Sequence, residues 1–230
     1  MPSHVTIPDH IGYIVDGNRR WARLNGISKD VHRRGADVVY DIAVETIESG
    51  VKYATFFIFS TENWNRDPEE VSYLMNLFVD FFTSKAKEFQ KQDIKAVFLG
   101  TREGLSSTVL NAMDKIEELT KSGQRGTVCF CFNYGGYQEL ADAAKKIVQS
   151  GISSDDITPD LISQNIYHPE IPPIDIVVRT GGELRISNFM LWRVAYAELL
   201  FLEKLWPDLA KADVDLIIQE YNRRNRRFGK

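Results

Sequence analysis

Short apolar runs alternate with amphipathic segments along this chain. Runs rich in β-branched and aromatic residues predict strands over 11–15, 53–59, 94–99, 127–132, 174–178 and 198–202. Segments with helical periodicity lie between them, near 35–49, 68–91, 105–121, 137–149 and 210–224. Strands that alternate with helices form a parallel sheet covered on both faces. The pattern therefore predicts a single α/β domain over residues 1–230, with about six parallel strands flanked by helices.

The segment 68–91 is the most informative of the predicted helices. Pro68 stands in its first turn and two glutamates follow, as the N-terminus of a helix prefers. Its apolar positions extend nearly all round the helix and comprise Val71, Leu74, Met75, Leu77, Phe78, Val79, Phe81 and Phe82. Such a helix is either buried in the core or lines an apolar cavity while it packs on the sheet.

Composition restricts the classes of function. Apolar residues make up 43% of the chain and charged residues 26%, as in ordinary globular domains. The net charge of -4 gives no electrostatic support to a nucleic-acid partner. The first residues lack the pattern of a signal peptide, and no run of about 18 apolar residues could span a membrane. We therefore expect a cytoplasmic protein with at most peripheral membrane contact.

The two cysteines, Cys129 and Cys131, alternate within an apolar run and so face the same side of a predicted strand. Adjacent same-side positions of one strand rarely suit a disulfide, and no second pair exists to complete a zinc site. Both thiols are therefore predicted to be buried and unpaired.

Charged and polar residues follow the first predicted strand and open a helix. Asp16 and Gly17 stand here with Arg19, Arg20 and Arg23. Ligands of open α/β sheets bind at the carboxyl ends of strands, and guanidinium groups match phosphate oxygens. A carboxylate next to a bound anion suggests an intervening cation such as Mg²⁺. Asp-Gly-Asn is also a common turn sequence, so this cluster alone leaves a structural explanation open.

Two further polar clusters follow the second and the fifth predicted strands. The first covers 60–66 and the second 179–187, where two arginines, a Gly-Gly turn and a serine could cradle an anion. Each taken singly could be an ordinary polar loop. Three such clusters at strand ends favour a ligand site that binds anionic groups.

These residues carry a family resemblance. The chain resembles the undecaprenyl diphosphate synthase family of cis-prenyltransferases in long motifs that run in family order, over 16–22, 59–66, 133–136, 179–183, 185–189, 195–199, 205–208 and 226–229. The trans-prenyltransferases instead use an Asp-Asp-x-x-Asp motif, which is absent with that spacing here. The resemblance covers essentially the whole chain.

The resemblance implies a six-stranded parallel sheet, an apolar tunnel between sheet and helices, a homodimer, and the cofactor Mg²⁺ held through Asp16 and Glu198. It implies an allylic prenyl diphosphate condensed with isopentenyl diphosphate. The implied catalytic residues are Asp16, Asn18, Ser60 and Asn63. The implied substrate-binding residues are Gly17, Arg19, Arg20, Trp21, His32, Glu62, Trp64, Arg66, Arg179, Arg185, Ser187, Arg227 and Gly229, the last two reaching across from the other subunit. The group that removes the final proton stays open among Ser60, Glu62, Asn63 and the released diphosphate.

Three departures from the family pattern bear on function. Val31 stands where the family usually has the first glycine of Gly-His-x-x-Gly, and the loop before it is one residue short. Leu184 occupies a position where several relatives have histidine. Ile58 stands where long-chain relatives place a small residue, which predicts a short or medium product because each added isoprene unit must pass it.

Two alternatives to regular condensation remain at this point. The altered phosphate loop could indicate irregular prenyl coupling, or prenyl transfer to a non-isoprenoid alcohol. A non-catalytic subunit of a heteromeric prenyltransferase is the lesser alternative, since such subunits tend to lose the N-terminal Asp motif that this chain keeps.

Overall fold

A computed structural model describes residues 6–27 and 32–224 of the chain. Six parallel strands form one sheet in the order β3-β4-β2-β1-β5-β6. The strands are β1 His10–Ile14, β2 Tyr53–Ser60, β3 Ile94–Leu99, β4 Gly126–Tyr134, β5 Ile176–Arg179 and β6 Glu198–Phe201. The six-stranded parallel sheet predicted from the sequence is confirmed.

Seven α-helices connect and cover the strands within the described ranges. They are α1 Asn18–Leu24, α2 Arg33–Glu48, α3 Pro68–Lys91, α4 Ser107–Thr120, α5 Gly136–Gln149, α6 Pro159–Asn165 and α7 Lys211–Arg223. A short 3₁₀ helix, Thr61–Asn65, follows β2 directly. No helix within these ranges is both long enough and apolar enough to cross a lipid bilayer.

The two faces of the sheet bury separate apolar clusters. The larger cluster joins the sheet to α2, α3, α4 and α7, and the smaller one lies on the opposite face. Cys129 and Cys131 are fully buried in the smaller cluster as free thiols, as predicted. Burial raises the pKa of the Cys129 thiol to about 12, so it stays protonated at neutral pH.

Helix α3 begins where the sequence predicts and brings a set of aromatic rings onto the sheet. The side chain of Asp67 accepts hydrogen bonds from the backbone N–H groups of Glu69 and Glu70 and caps the helix. Phe78 meets Phe132 of β4 with ring centroids 4.9 Å apart in an edge-on arrangement. Aromatic side chains therefore fill much of the space between α3 and the sheet.

Three sequence predictions differ from the structure in detail. Helix α6 was not predicted, because its seven residues offer only Leu161 and Ile162 as an apolar signal. The fifth strand begins at Ile176 rather than at Ile174, since the backbone N–H of Ile174 donates to Arg193 instead of to a strand. β4 continues beyond Phe132 to Tyr134.

Candidate active site

The three polar clusters predicted from the sequence lie together at the carboxyl edge of the sheet. They follow β1, β2 and β5, which are neighbours in the sheet order. A cleft of about 640 Å³ opens between them. Its polar lining comprises Asp16, Ser60, Glu62, Asn63, Arg66, Tyr137, Arg179, Arg185, Ser187 and Asn188. We call residues 61–66 the β2 loop and residues 180–188 the β5 loop.

Asp16 is the carboxylate at the centre of this cleft. One carboxylate oxygen accepts a hydrogen bond from Nη2 of Arg179 at 2.9 Å, and the other lies 3.5 Å from Nη2 of Arg20. Arg179 is almost fully buried, so it is a charge that needs a paired partner. The pair fixes the carboxylate at the end of β1 and fixes the guanidinium at the end of β5.

The backbone of Asp16 is held by residues that sequence reasoning missed. The buried hydroxyl of Thr180 accepts from the N–H of Asp16 at 3.1 Å and contacts its carbonyl oxygen at 2.7 Å. The N–H of Trp206 donates to the same carbonyl at 3.0 Å. Thr180 lies in the family motif over 179–183, and this motif was the one signal in the sequence that could have pointed to it. These contacts fix the direction in which the carboxylate leaves the strand.

The first turn of α1 places the next site residues around the cleft. Gly17 has a φ of 108°, and an added Cβ would lie 2.9 Å from Leu205, so only glycine fits this turn. Asn18 donates to the carbonyl of Val15, while its buried Oδ1 has no partner within the described ranges. This oxygen lies against Gly35, where a Cβ would clash with it, and the Asn18 side chain lines a second cavity beside the cleft.

The cationic and aromatic residues of α1 divide between the site and the fold. Arg20 points at Asp16, whereas the exposed Arg19 lies 4.0 Å from Glu70 of α3. The indole N–H of Trp21 donates to Asp208 at 2.6 Å and fastens α1 to the segment after β6. Trp21 therefore supports the loop and is not directed into the cleft.

The β5 loop is shaped by Arg179 from inside the fold. Nη1 of Arg179 donates to the carbonyl of Arg185 at 2.6 Å and to the hydroxyl of Ser187 at 2.8 Å. Arg185 itself is exposed and pairs with Glu183 at 2.6 Å. The loop thus presents the exposed cation of Arg185, the hydroxyl of Ser187 and the buried guanidinium of Arg179 to the same cleft.

The β2 loop contributes an ordered set of polar groups. The N–H of Ser60 donates to Oδ1 of Asn63, which closes the 3₁₀ turn. Burial would raise the pKa of Glu62, but hydrogen bonds from Asn188, Ser60 and Thr61 outweigh it and hold that pKa below its usual range. Glu62 is therefore an ionised acceptor at neutral pH.

Two further β2-loop residues behave differently from one another. Arg66 donates to Glu70 at 3.1 Å and lines the cleft. Trp64 donates its indole N–H to Asn133 at 2.7 Å and stacks edge-on against Phe59. Trp64 lies outside the lining of the cleft, so the structure does not bring it together with Asp16.

A smaller cavity of about 130 Å³ adjoins the cleft, and most but not all of its lining residues are apolar. Phe57, Asn63, Arg66 and Val15 line both spaces. The remaining wall is formed by Asn18, His32, Gly35, Ala36, Val39, Ile58, Leu74, Leu77, Phe78 and Trp206. Ile58 of β2 therefore lines the cavity, as the resemblance implied. Phe78 of α3 lines the same cavity.

His32 lines the smaller cavity. Burial lowers its pKa to about 4, with Arg66 adding to the effect and Glu70 opposing it. Its Nε2 is 3.7 Å from a carboxylate oxygen of Glu70. The imidazole is therefore neutral at neutral pH, and it offers hydrogen bonds without adding charge.

The donor set fits a cation shared with a ligand. Within the described ranges, no three His, Cys, Asp or Glu side chains come together as a metal cage. Mg²⁺ is commonly held by one or two carboxylates together with substrate phosphates. Asp16 supplies one such carboxylate beside several cationic side chains, so the site suits Mg²⁺ only in company with a diphosphate.

Glu198 is not brought to Asp16 within one chain. It begins β6 and pairs in register with Ile176, at the end of the sheet opposite the cleft. Phe201, at the cleft end, is three positions further along the strand, a distance of about 10 Å. Its carboxylate lies 3.4 Å from Nη1 of Arg224. Other expected site residues, Arg227 and Gly229, lie outside the described residues, as does Val31.

A family model and curated relatives show which proteins this chain is similar to. The family model described as "Putative undecaprenyl diphosphate synthase" matches residues 14–229. An isoprenyl transferase of Thermotoga maritima is 42% identical over 226 residues, covering 97% of both chains. A decaprenyl diphosphate synthase of Mycobacterium bovis is 40% identical over 228 residues, covering 97% of this chain and 77% of that protein.

A solved structure matches the whole fold. The structure of a lavandulyl diphosphate synthase from Lavandula x intermedia, in complex with dimethylallyl diphosphate, superposes with a TM-score of 0.92 at 30% identity. The match covers 97% of this chain and 99% of that one. Together with the family match and the identity to curated transferases, it shows that this chain belongs to the undecaprenyl diphosphate synthase family and is a cis-prenyltransferase.

Proposed function

We propose that this enzyme condenses an allylic prenyl diphosphate with isopentenyl diphosphate and releases diphosphate. The observation that carries the proposal is the junction of a polar cleft of about 640 Å³ with an apolar cavity of about 130 Å³. Prenyl diphosphates have an anionic head and an apolar tail, so such a junction suits them. The cleft has room for two diphosphates side by side.

The allylic diphosphate would lie against Asp16, Arg20 and Arg66, with its tail in the cavity beside Ile58. The isopentenyl diphosphate would lie against Arg179, Arg185 and Ser187 of the β5 loop. When the allylic C–O bond breaks, negative charge develops on the leaving diphosphate. Guanidinium groups already in place stabilise that charge without reorganising, which lowers the barrier.

Mg²⁺ is the cofactor that we expect at Asp16. When bound, it would neutralise part of the diphosphate charge. Removing divalent cations with a chelator should abolish turnover, and Mg²⁺ should restore it. A direct measurement is binding of Mn²⁺ followed by electron paramagnetic resonance, with and without inorganic diphosphate. Binding that needs diphosphate and is lost in Asp16→Asn would support the shared site, whereas binding independent of both would contradict it.

The small cavity supports a short product. A dry cavity of about 150 Å³ accommodates one benzene molecule, so 130 Å³ has room for about one five-carbon unit. Below it, Phe78 is packed against Phe59, Phe82 and Phe132. A product of ten or more isoprene units would need this aromatic set to move. We therefore propose that chain growth stops after few additions.

Irregular coupling is the second candidate. It is favoured by the match to a lavandulyl diphosphate synthase in complex with dimethylallyl diphosphate, because the lavandulyl skeleton is a branched join of two five-carbon units. For this chain, the second candidate would use dimethylallyl diphosphate as both partners. The cavity described above would suit such a five-carbon tail.

One assay separates the candidates. The purified enzyme is incubated with Mg²⁺ and labelled dimethylallyl, geranyl or farnesyl diphosphate, each with and without isopentenyl diphosphate, and products are analysed chromatographically after dephosphorylation. Products that require isopentenyl diphosphate support regular condensation. A branched product from dimethylallyl diphosphate alone supports irregular coupling. A labelled ether with an added alcohol would indicate a non-isoprenoid acceptor, and no product under any condition would refute the proposal.

We also propose that the enzyme acts as a homodimer. Tyr196 and Leu199 are exposed on or beside the edge strand β6, where a second copy could cover them. The carboxylate of Glu198 lies nearby on the same strand. Sedimentation equilibrium should give twice the chain mass of 26.3 kDa, and a monomer that retains full activity would contradict the proposal.

A further inference from the structure

We propose that Asn188 is a positioning residue that locks the β5 loop to the β2 loop and thereby sets the affinity for the second diphosphate. The proposal rests on the proposed function, because it concerns the site of isopentenyl diphosphate. Asn188 is half-buried and lines the cleft, and no role was foreseen for it in the sequence beyond its place next to Ser187.

The end of the β5 loop has an unusual backbone. Ser187 has a φ of 49° and Asn188 a φ of 64°, so two consecutive residues that are not glycine adopt left-handed conformations. Such conformations persist only where surrounding contacts determine them, and they occur preferentially at functional sites. Arg179 supplies one of these contacts by donating to the hydroxyl of Ser187. Asn188 supplies the others.

Asn188 caps helix α5 from outside the helix. Its carbonyl oxygen accepts from the N–H of Gly136 at 2.8 Å, and its Oδ1 accepts from the N–H of Tyr137 at 2.9 Å. Gly135, which precedes the helix, provides no side-chain cap. A Cβ on Gly135 would lie 3.0 Å from Nδ2 of Asn188, and one on Gly136 would lie 2.9 Å from its carbonyl oxygen. The Gly-Gly pair after β4 therefore permits the close approach of Asn188.

The amide nitrogen of Asn188 makes the remaining link. Nδ2 donates to Oε1 of Glu62 in the β2 loop at 2.9 Å. Glu62 is held ionised, so this is a charge-assisted hydrogen bond, which is stronger than a neutral one. One side chain thus joins the segments that follow β2, β4 and β5. Without it, the loop that carries Arg185 and Ser187 would lose its connection to the opposite wall of the cleft.

The side chain must be an amide to make all these bonds. Aspartate at 188 would keep an oxygen for the N–H of Tyr137 and tolerates a left-handed backbone. It would lose the donor to Glu62 and would set two carboxylates against each other. Glu62→Gln would restore the link with reversed polarity, because its amide could donate to the new carboxylate. This reversal provides a matched test.

The test is a double-mutant cycle with wild type, Asn188→Asp, Glu62→Gln and the double variant. Isopentenyl diphosphate binding is measured by calorimetry with dimethylallyl thiolodiphosphate, an unreactive allylic analogue with a five-carbon tail, already bound. Affinity for the analogue alone is measured in the same four proteins. Circular dichroism and thermal unfolding verify that each variant is folded.

We expect Asn188→Asp to weaken isopentenyl diphosphate binding about ten- to hundredfold in the wild-type background. In the Glu62→Gln background the same change should weaken it by less than about threefold. Affinity for the allylic analogue should change little, because within residues 6–27 and 32–224 no hydrogen bond or ion pair joins Asn188 to Asp16, Arg20 or Arg66.

Equal losses in both backgrounds would overturn the proposal, since a general structural role does not depend on residue 62. Parallel losses of both ligands would overturn it as well. A wild type that fails to bind isopentenyl diphosphate would instead refute the proposed function. The wild-type measurement therefore distinguishes the two failures.

Discussion

Replacing Phe78 by alanine should lengthen the product by about one isoprene unit. Phe78 lines the apolar cavity, and its ring packs on Phe132 at 4.9 Å and on Phe59 and Phe82 at 6.1 Å. It therefore forms the floor between the cavity and the aromatic set beneath. Removing the ring leaves space of about the size that one benzene molecule occupies, so the cavity of 130 Å³ should roughly double.

The same change has a cost in stability. Phe→Ala replacements in cores lower the free energy of unfolding by about 3–5 kcal/mol. We expect the low end of this range, because one side of the Phe78 ring already faces a cavity and not packed atoms. Phe81 offers a matched control on the same helix. It is buried to the same degree, but it packs on Phe82 and Phe130 and does not line the cavity.

Product chromatography after incubation with dimethylallyl and labelled isopentenyl diphosphate tests the reasoning. Phe78→Ala should shift the product distribution upwards by one unit, and Phe81→Ala should destabilise the protein without shifting it. Ile58→Ala, on the opposite wall, should also lengthen the product. A wild-type product of ten or more isoprene units would refute the assignment of Phe78 as the floor of the cavity. Identical product distributions from Phe78→Ala and Phe81→Ala would refute it as well.

Three further predictions concern single groups. Asp16→Asn should lower kcat by about three orders of magnitude in steady-state assays, with an unchanged circular dichroism spectrum, because a main element of charge stabilisation is lost; near-normal kcat would contradict its role. Thr180→Val should lower kcat/KM by about tenfold, because the backbone of Asp16 loses its hydroxyl partner, while Thr180→Ser should remain near wild type. Burial lowers the pKa of His10 to about 4 in the folded protein. As the pH falls, the imidazole is therefore protonated in the unfolded chain before it is protonated in the folded one. The contribution of His10 to the free energy of unfolding should therefore be constant above about pH 6.5 and fall by about 3 kcal/mol on the way to pH 4; urea unfolding of His10→Gln should show a fall that is smaller by this amount.

The sheet was predictable because strands β1 to β5 are short, largely buried apolar runs, and only the edge strand β6 is partly exposed. Tyr53–Ser60 and Ile94–Leu99 were found almost to the residue, since polar or helical segments bound them sharply. The fifth strand was placed too early because Ile174 is apolar and buried, yet its N–H bonds to Arg193 from another segment. A local pattern does not contain such a partner.

The site was predictable as three clusters but not as a network. The ends of β1, β2 and β5 had to meet once the strands were parallel neighbours. The roles of Thr180 and Asn188 depend on partners 164 and 126 residues away along the chain, Asp16 and Glu62. For the same reason, the apolar pattern of α3 allowed for a cavity but did not show which aromatic ring forms the floor of that cavity. That assignment to Phe78 required the packing of α3 on β4.

The buried guanidinium of Arg179 links the β5 loop to Asp16, and so links the two proposed substrate sites. Its Nη1 holds Arg185 and Ser187 of the β5 loop, and its Nη2 holds the Asp16 carboxylate. A buried charge that loses its partner is strongly destabilised, so Asp16 is a counterion of the β5 loop as well as a candidate ligand for Mg²⁺. A large defect in an Asp16 variant would therefore not by itself prove a role in metal binding. Asp16→Asn keeps an oxygen for Arg179, whereas Asp16→Ala does not. A rise in the KM of isopentenyl diphosphate that is found only in Asp16→Ala would measure the role of Asp16 as a partner of Arg179. A fall in kcat that is found in both Asp16→Asn and Asp16→Ala would measure the loss of the carboxylate charge.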